Sequence, residues 1–417
     1  MILHYYQQFF PSANAVGYLT ARKLMGRLAD RGHDVTVFAC DFNPYDERDE
    51  PEEEVPGRNG GRYRVRRLRA PRGMRRSLTR RFASYGAFAA RAWSAGRRAP
   101  RPQLVIGSIQ PLFTGSVALR NARSAGVPFV LEVVDLWPDA LEAKGAVTGI
   151  KARVLHRMAN QLYRHATRIV SLTPGIRTEL VKKGISPRVI DVLPNGFDPD
   201  LYAIPVTARA EIRRELGWDD QFVAVYAGAH TEVTAVETYV RAANVLKHRR
   251  DIRFDLFGSG QTKAPAMRLA AELQTGNLHF HDPVPKPRVP HLLAGADVAL
   301  MALFRSPLIH IYFESKFMDY MGAGKPILGA MGGQQADVIR RFRTGKVVDA
   351  FDHEGLAALV AEAADNYGAF AEMGANGARL VRERLLLPDI IERYVDRIEA
   401  VAAGRAGELE AWEPFPA

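Results

Sequence analysis

Cysteine is almost absent: Cys40 stands alone in 417 residues, which excludes an internal disulfide framework and any zinc site built on several thiolates. The opening MILHYYQQFF has no basic segment ahead of an apolar one, so no secretory leader is expected and a reducing cytoplasm is. The longest uncharged run, Pro102 to Leu119, is interrupted by two prolines, two glycines and two glutamines. It reads as strand, turn and helix start, and no transmembrane helix is expected. Acids are missing from Val55 to Leu131, where there are seventeen arginines and no lysine. The net charge of +11 therefore belongs to this segment, and the remainder of the chain is acidic. Just before it, Asp41 to Glu54 carries eight acids in fourteen residues, the composition of a solvated loop.

What is present is ordinary globular material. With 47% hydrophobic and 25% charged residues, 35 Gly and 25 Pro, collagen, coiled coil and global disorder are excluded, and the length suits two α/β domains. Met1 to Tyr6 reads as a strand, Pro11 to Gly17 as a loop, and Leu24 and Leu28 mark a helix ended by Gly32 before a second strand, Asp34 to Ala39. That is the βαβ opening of a doubly wound domain. Further strands are expected at Leu104 to Gly107, Pro128 to Val134, Arg168 to Leu172 and Val189 to Leu193. The pattern restarts at Phe222 to Tyr226, with strands at Phe254 to Phe257, Leu278 to Phe280, Val298 to Leu303 and Pro326 to Gly329. The expected fold is α/β, with two Rossmann-like doubly wound domains facing a cleft. Their bounds are 1–203 and 204–388, and 389–417 forms a C-terminal helix and tail.

Ligands of such sheets bind at the carboxyl ends of the strands, so the loops there are the places to look. In Pro11 to Gly17, Gly17 opens a helix and lets backbone N–H groups approach an anion or a sugar hydroxyl. In Glu132-Val-Val-Asp135-Leu-Trp137-Pro138-Asp139, Asp135 can accept a substrate hydroxyl or stabilise positive charge on a sugar ring, Trp137 can stack on a sugar, and Asp139 suits a helix N-cap. Gly228-Ala229-His230 and Gly258-Ser259-Gly260 each follow a strand, where small residues admit a phosphate or nucleoside, or simply a tight turn. In the Phe313 to Pro326 stretch, Ser315 can cap a helix whose free N–H groups, with Lys316, would hold a diphosphate. Asp319 shares that helix face and can take ribose hydroxyls, or else form an i, i+3 salt bridge with Lys316.

Taken together, Asp135-Leu-Trp-Pro, Leu193-Pro-Asn-Gly-Phe-Asp198, Ser315-Lys316 to Lys325-Pro326 and Arg31-Gly-His-Asp-Val-Thr-Val37 resemble the bacterial retaining glycosyltransferases of the large group-one family with the GT-B architecture. Within it they look most like the branch using fucose or N-acetylfucosamine donors in surface polysaccharide assembly. The resemblance implies a nucleotide diphosphate sugar, UDP ahead of GDP, held mainly by the second domain through Gly228, His230, Gly258, Glu314, Ser315, Lys316 and Asp319, with Gly17 of the first domain also among the donor-binding residues. It implies an acceptor held by the first domain through Trp137, with Asp135 catalytic, no cofactor and no metal. It also implies that the helix near Ile390 to Val401 crosses back onto the first domain. This sequence departs from the family at Ile311, where the first acid of an E-x7-E pattern would stand, and at Glu314, where proline is usual. Asp198-Pro199-Asp200 spells DxD but has turn composition, and the eleven histidines include no HExxH.

Between Leu78 and Arg98, Phe82, Tyr85, Ala89, Ala92 and Trp93 fall on one helical face with Phe88 at its edge, and Arg76, Arg80, Arg91 and Arg98 lie opposite. A basic amphipathic helix of this kind suits the surface of an anionic membrane, with Arg75, Arg76, Arg80, Arg81, Phe82, Phe88 and Trp93 in contact. The expectation is a cytoplasmic enzyme peripheral to the inner face of the bacterial membrane, acting on a polyprenyl diphosphate saccharide. A GT-B epimerase or phosphorylase, and a nucleic-acid-binding protein using the arginines as a phosphate track, are the competing readings.

Overall fold

The computed structural model describes residues 1–9, 16–43, 47–74, 76–143, 145–218, 220–304, 308–311 and 313–415, with the side chains of 16–19 left aside. The chain divides into two units, Met1–Asn195 with Pro388–Ala417, and Gly196–Leu387.

The first unit is built on an eight-stranded sheet of β1 (Ile2–Tyr5), β2 (Asp34–Cys40), β3 (Glu53–Pro56), β4 (Arg62–Leu68), β5 (Leu104–Ser108), β6 (Phe129–Val133), β7 (Arg168–Ser171) and β8 (Ile190–Val192). Their spatial order is β3-β4-β2-β1-β5-β6-β7-β8. All neighbours are parallel except β3 and β4. The inner strands are buried on both faces because helices cover both sides. β4 differs: Tyr63 and Val65 are buried while Arg62, Arg64 and Arg66 are exposed, the period-two signature of a half-covered strand. The acid run before it does more than solvate. Glu53 and Glu54 enter β3, and Glu54 reaches Arg64 at 2.7 Å and Arg62 at 3.3 Å.

The helix Leu78–Arg98 starts where the Ser77 side chain accepts from the Arg80 N–H, and buries Tyr85, Phe88, Ala89 and Ala92 within the first unit. Behind it, Asn121 donates to the Tyr5 hydroxyl at 2.7 Å. The C-terminal helix Leu387–Ala402 lies on the helix Val16–Asp30 and the turn after it. Arg31 meets Glu392 at 2.8 Å and Asp396 at 3.0 Å, and His33 meets Glu399 at 2.9 Å. The tail beyond it is pinned from inside. Buried Arg168 grips Asp191 with two bonds of 2.7 and 2.9 Å and donates to the Leu409 and Glu410 carbonyls, while the Trp412 N–H donates to Asp191. Arg168→Met removes both guanidinium bonds to the buried Asp191 and leaves it Arg397 and the Trp412 N–H. The expected cost is about 3 kcal/mol of unfolding free energy, read by urea denaturation, with residues 409–412 becoming sensitive to protease.

The second unit, Gly196–Leu387, carries a six-stranded sheet of β9 (Phe222–Ala227), β10 (Ile252–Phe257), β11 (Leu278–His281), β12 (Val298–Ala302), β13 (Ile327–Ala330) and β14 (Gly345–Val348). It is parallel throughout, in the order β11-β10-β9-β12-β13-β14. Along β9 the side chains alternate between two cores. Ala224 and Tyr226 join Tyr239, Leu256 and Leu300 on one face, and Val223 and Val225 join Trp218 and Leu292 on the other. The strand order reverses between β9 and β12, so the loops after these two strands flank the crevice where such sheets bind ligands. No helix among the described residues is long and apolar enough to cross a membrane.

Candidate active site

Three consecutive strand-to-helix loops of the second unit are stitched together by backbone hydrogen bonds. The Gly228 N–H donates to Phe257 O at 2.9 Å, the His230 N–H to Ser259 O at 2.9 Å, and the Gly258 N–H to His281 O at 3.3 Å. The approach is so close that side chains are impossible at two positions. Gly258 has φ +153° and a Cβ there would sit 1.8 Å from the Gly228 carbonyl oxygen; Gly260 has φ +150° and its Cβ would sit 2.1 Å from His230 O. The glycines thus serve backbone approach and a conformation that other residues avoid.

Lys316 closes this cradle. Its Nζ lies 3.0 Å from the Tyr226 hydroxyl and 3.1 Å from Glu314 Oε1, and it sits over the Tyr226 ring. A Cβ on Gly228 would come within 2.7 Å of Lys316 Cε and Nζ, so the ammonium rests directly on the glycine backbone. Burial would push the ammonium to lose its proton, but the Glu314 carboxylate and Tyr226 outweigh it and raise the pKa, keeping Lys316 charged. Tyr320, one turn further along the helix Lys316–Gly322, receives the Ala227 N–H at 2.9 Å and locks that helix to the end of β9.

Several expectations for this stretch need correcting. Ser315 has helical φ and ψ and its side chain makes no capping bond. The helix therefore begins without the expected cap, and the Glu314 carbonyl instead accepts from the Phe317 N–H and from Gln335 Nε2. Lys316 and Asp319 do not pair with one another. Asp319 is hydrogen-bonded to Lys286, a residue that local spacing could not bring into view, and both side chains are largely buried. Tyr202 lies beside that pair, and burial together with the Asp319 carboxylate raises the pKa of its hydroxyl far above the ordinary value. Asp198 of the DxD spelling is buried at the start of the turn Pro199–Tyr202. No group of three or more His, Cys, Asp or Glu among the described residues is placed to hold a metal ion.

His230 is wholly buried, with neither ring nitrogen hydrogen-bonded among the described residues, its ring near Tyr226 and Phe280. Burial, with Lys263 and Lys316 adding repulsion, pushes its pKa down to about 4, against a weak opposing pull from the Phe257 carbonyl. The folded imidazole stays neutral while an unfolded chain takes up the proton near its ordinary pKa of about 6.5. Stability therefore falls as the pH drops from about 6.5 to about 4 and levels off below. His230→Gln is expected to remove up to about 3 kcal/mol of that fall, seen by comparing urea unfolding at neutral pH and at acid pH. Parallel pH profiles for the two proteins would contradict it.

In the first unit, Asp135 lies in the turn after β6, half-buried, with its carboxylate accepting from the Leu136 N–H at 2.9 Å. Trp137 does not offer the open ring face expected for a sugar. It is 9% exposed in the core, its peptide to Pro138 is cis, and its carbonyl accepts from the Tyr163 hydroxyl. Asp139 opens the short helix Asp139–Ala143 and pairs with Lys183 at 2.7 Å. Glu132 is the residue whose role the sequence reading missed. It bonds His4 at 3.0 Å and the Tyr394 hydroxyl at 2.8 Å, beside a cavity of about 60 Å³ lined by Tyr6, Leu193 and Ile390. Burial would raise its pKa, but His4 and Tyr394 outweigh this and lower it. Its place at the end of an apolar strand was the available signal. Gly17 lies in the first turn of the helix Val16–Asp30, and most of the loop before it is outside the described residues.

The membrane-facing set is corrected in part. Phe88 is fully buried and cannot touch a bilayer. Trp93 is half-buried, with the Arg97 and Arg120 guanidiniums over its ring. The apolar face of this helix is core, because amphipathicity reports a buried face without saying what buries it. Leu78 and Phe82 at its first turn remain exposed, at 52% and 37%, near exposed Arg76 and Arg80. Arg81 donates to the Met74 carbonyl, and Arg75 lies outside the described residues.

Two family models match the chain, one over each unit. The glycosyl transferase 4-like domain matches residues 19–196 and the glycosyl transferases group 1 family matches residues 221–366. A D-inositol 3-phosphate glycosyltransferase of Streptomyces scabiei is 27% identical over 280 residues, covering 64% of this chain and 61% of that protein. A glycosyl transferase assigned to colanic acid biosynthesis in Escherichia coli K12 is 23% identical over 78% of this chain and 81% of its own length. The fold is also that of the Anabaena protein HepE crystallised with UDP, with a TM-score of 0.71 at 15% identity over 96% of this chain and 99% of that one. With both of its domains matched, the chain belongs to the group 1 glycosyltransferases, of GT-B fold.

Proposed function

We propose that the protein transfers a sugar, with retention and without a metal ion, from a nucleotide diphosphate sugar to a lipid-linked saccharide in surface polysaccharide assembly, UDP being preferred to GDP. The observation that carries this reading is the cradle of Gly228, Gly258 and Gly260 under the ammonium of Lys316. It presents backbone and one fixed positive charge at a topological switch point, which is what a departing diphosphate requires. Asp319, with Lys286 beside it, takes the ribose hydroxyls, and Glu314 and Ser315 border the diphosphate. His230 underlies the cradle. Asp135 acts on the acceptor. Front-face attack, in which the leaving phosphate assists removal of the acceptor proton, leaves the protein the work of orientation and charge stabilisation. UDP bound to HepE and the colanic acid relative favour the donor and the pathway class. Leu78 and Phe82, with Arg76, Arg80 and Arg81, supply the membrane contact, on the cytoplasmic side.

Calorimetric titration with UDP and with GDP in the presence of a metal chelator tests the reading. UDP is expected to bind more tightly, and Asp319→Ala to weaken that binding about tenfold. Binding of neither nucleotide would overturn it.

A further inference from the structure

The helix Leu78–Arg98 turns its apolar face inward, so the arginines opposite require a separate account. Along its C-terminal half, Arg91 and Arg98 line a groove of about 570 Å³ with Arg62, Arg64 and Arg66 of β4 and Arg69 just after it. Asp34 is the one acid among the lining residues. Arg62 is matched by Asp34 and Glu54, and Arg64 by Glu54. Arg66, Arg69 and Arg98 have no ion pair among the described residues, and Arg91 reaches only the Ala87 carbonyl. Past Ala99, which borders both, a second cavity of about 660 Å³ adds Arg97, Arg101 and Arg123 with no acid in its lining. Such a concave concentration of one sign focuses field on an incoming anion.

Guanidinium forks match phosphate oxygens two at a time. No exposed large apolar side chain lines the groove, so it is not shaped for insertion into a bilayer. It runs the length of β4, from Met1, Asp34 and Arg62 at the amino ends of β1, β2 and β4 to Leu68 and Arg69 at the carboxyl end of β4, and neither Asp135 nor any residue of the second unit lines it. We propose that the groove between β4 and the helix Leu78–Arg98 is a binding site for a phosphate-bearing ligand, separate from the site of sugar transfer. Arg66, Arg69, Arg91 and Arg98 grip its oxygens. The phosphate belongs either to a soluble compound or to a lipid headgroup, and the two share this recognition.

The test uses the full chain with UDP in excess, inorganic pyrophosphate by calorimetry, and co-sedimentation with vesicles of phosphatidylglycerol mixed with phosphatidylcholine or of phosphatidylcholine alone. Arg66→Gln/Arg98→Gln is compared with Arg153→Gln/Arg157→Gln, which removes equal charge from the helix Gly149–His165. The groove variant is expected to lose pyrophosphate binding by about tenfold or more with UDP affinity and Tm unchanged, while the control keeps it. Loss confined to the phosphatidylglycerol vesicles would support the site with a lipid headgroup as its ligand. Equal losses in both variants, or no loss with either probe, would overturn it.

Discussion

Lys316→Met is expected to lower kcat/KM for sugar transfer by about 10² to 10³ and to destabilise the fold as well. The side chain is 14% exposed and pairs with Glu314, itself 17% exposed, whose second oxygen has no partner among the described residues. Removing the ammonium leaves a nearly buried carboxylate unpaired, worth about 3 kcal/mol of stability, and it leaves that carboxylate facing an incoming diphosphate. The two consequences separate in the double variant. Lys316→Met/Glu314→Gln removes both charges, so stability recovers while turnover stays low. If transfer recovered along with stability, Lys316 would be a structural counter-ion to Glu314 and not a ligand of the donor. The measurements are Tm, UDP affinity and steady-state kinetics on the two proteins.

Much of this site is legible along the chain, within limits set by distance. β9 followed by glycine, β10 followed by Gly-Ser-Gly, and Ser315-Lys316 before a short helix are local features, and local features survive folding. Pairings between distant segments do not show in spacing. Lys316 and Asp319 stand three apart on one helix, the geometry of an ion pair, yet Lys316 turns to Glu314 and Tyr226 while Asp319 takes Lys286. The partner of Asp319 comes from a segment 33 residues away, and a helical wheel cannot list candidates from other elements. The same limit hid the partners of Glu132, which come from residue 4 and residue 394. For Phe88 the helical wheel shows an apolar face, but the packing of that helix against the helix Leu112–Ala125 is tertiary information. β4 was missed although Tyr63 and Val65 alternate with arginines, because strong charge outweighed the period-two signal.

Gly258→Ala and Gly228→Ala should fail in different ways, and the difference tests how the cradle is built. At Gly258 a Cβ meets the Gly228 carbonyl oxygen at 1.8 Å, and φ is +153°, so neither space nor backbone conformation allows it. The loops after β9 and β10 must separate, breaking the hydrogen bond from the Gly228 N–H to Phe257 O. Expected is a loss of about 3 kcal/mol or more in stability together with loss of measurable UDP binding. At Gly228 the nearest atoms are Lys316 Cε and Nζ at 2.7 Å, the far end of a flexible side chain, with the Tyr226 hydroxyl at 3.0 Å. The ammonium can move aside, so Gly228→Ala is expected to keep Tm within a few degrees while lowering kcat/KM by about tenfold or more, because the charge no longer rests where the diphosphate departs. If instead Gly228→Ala unfolded the second unit, Lys316 would be held by its neighbours as firmly as backbone, and the cradle would be a rigid part of the core.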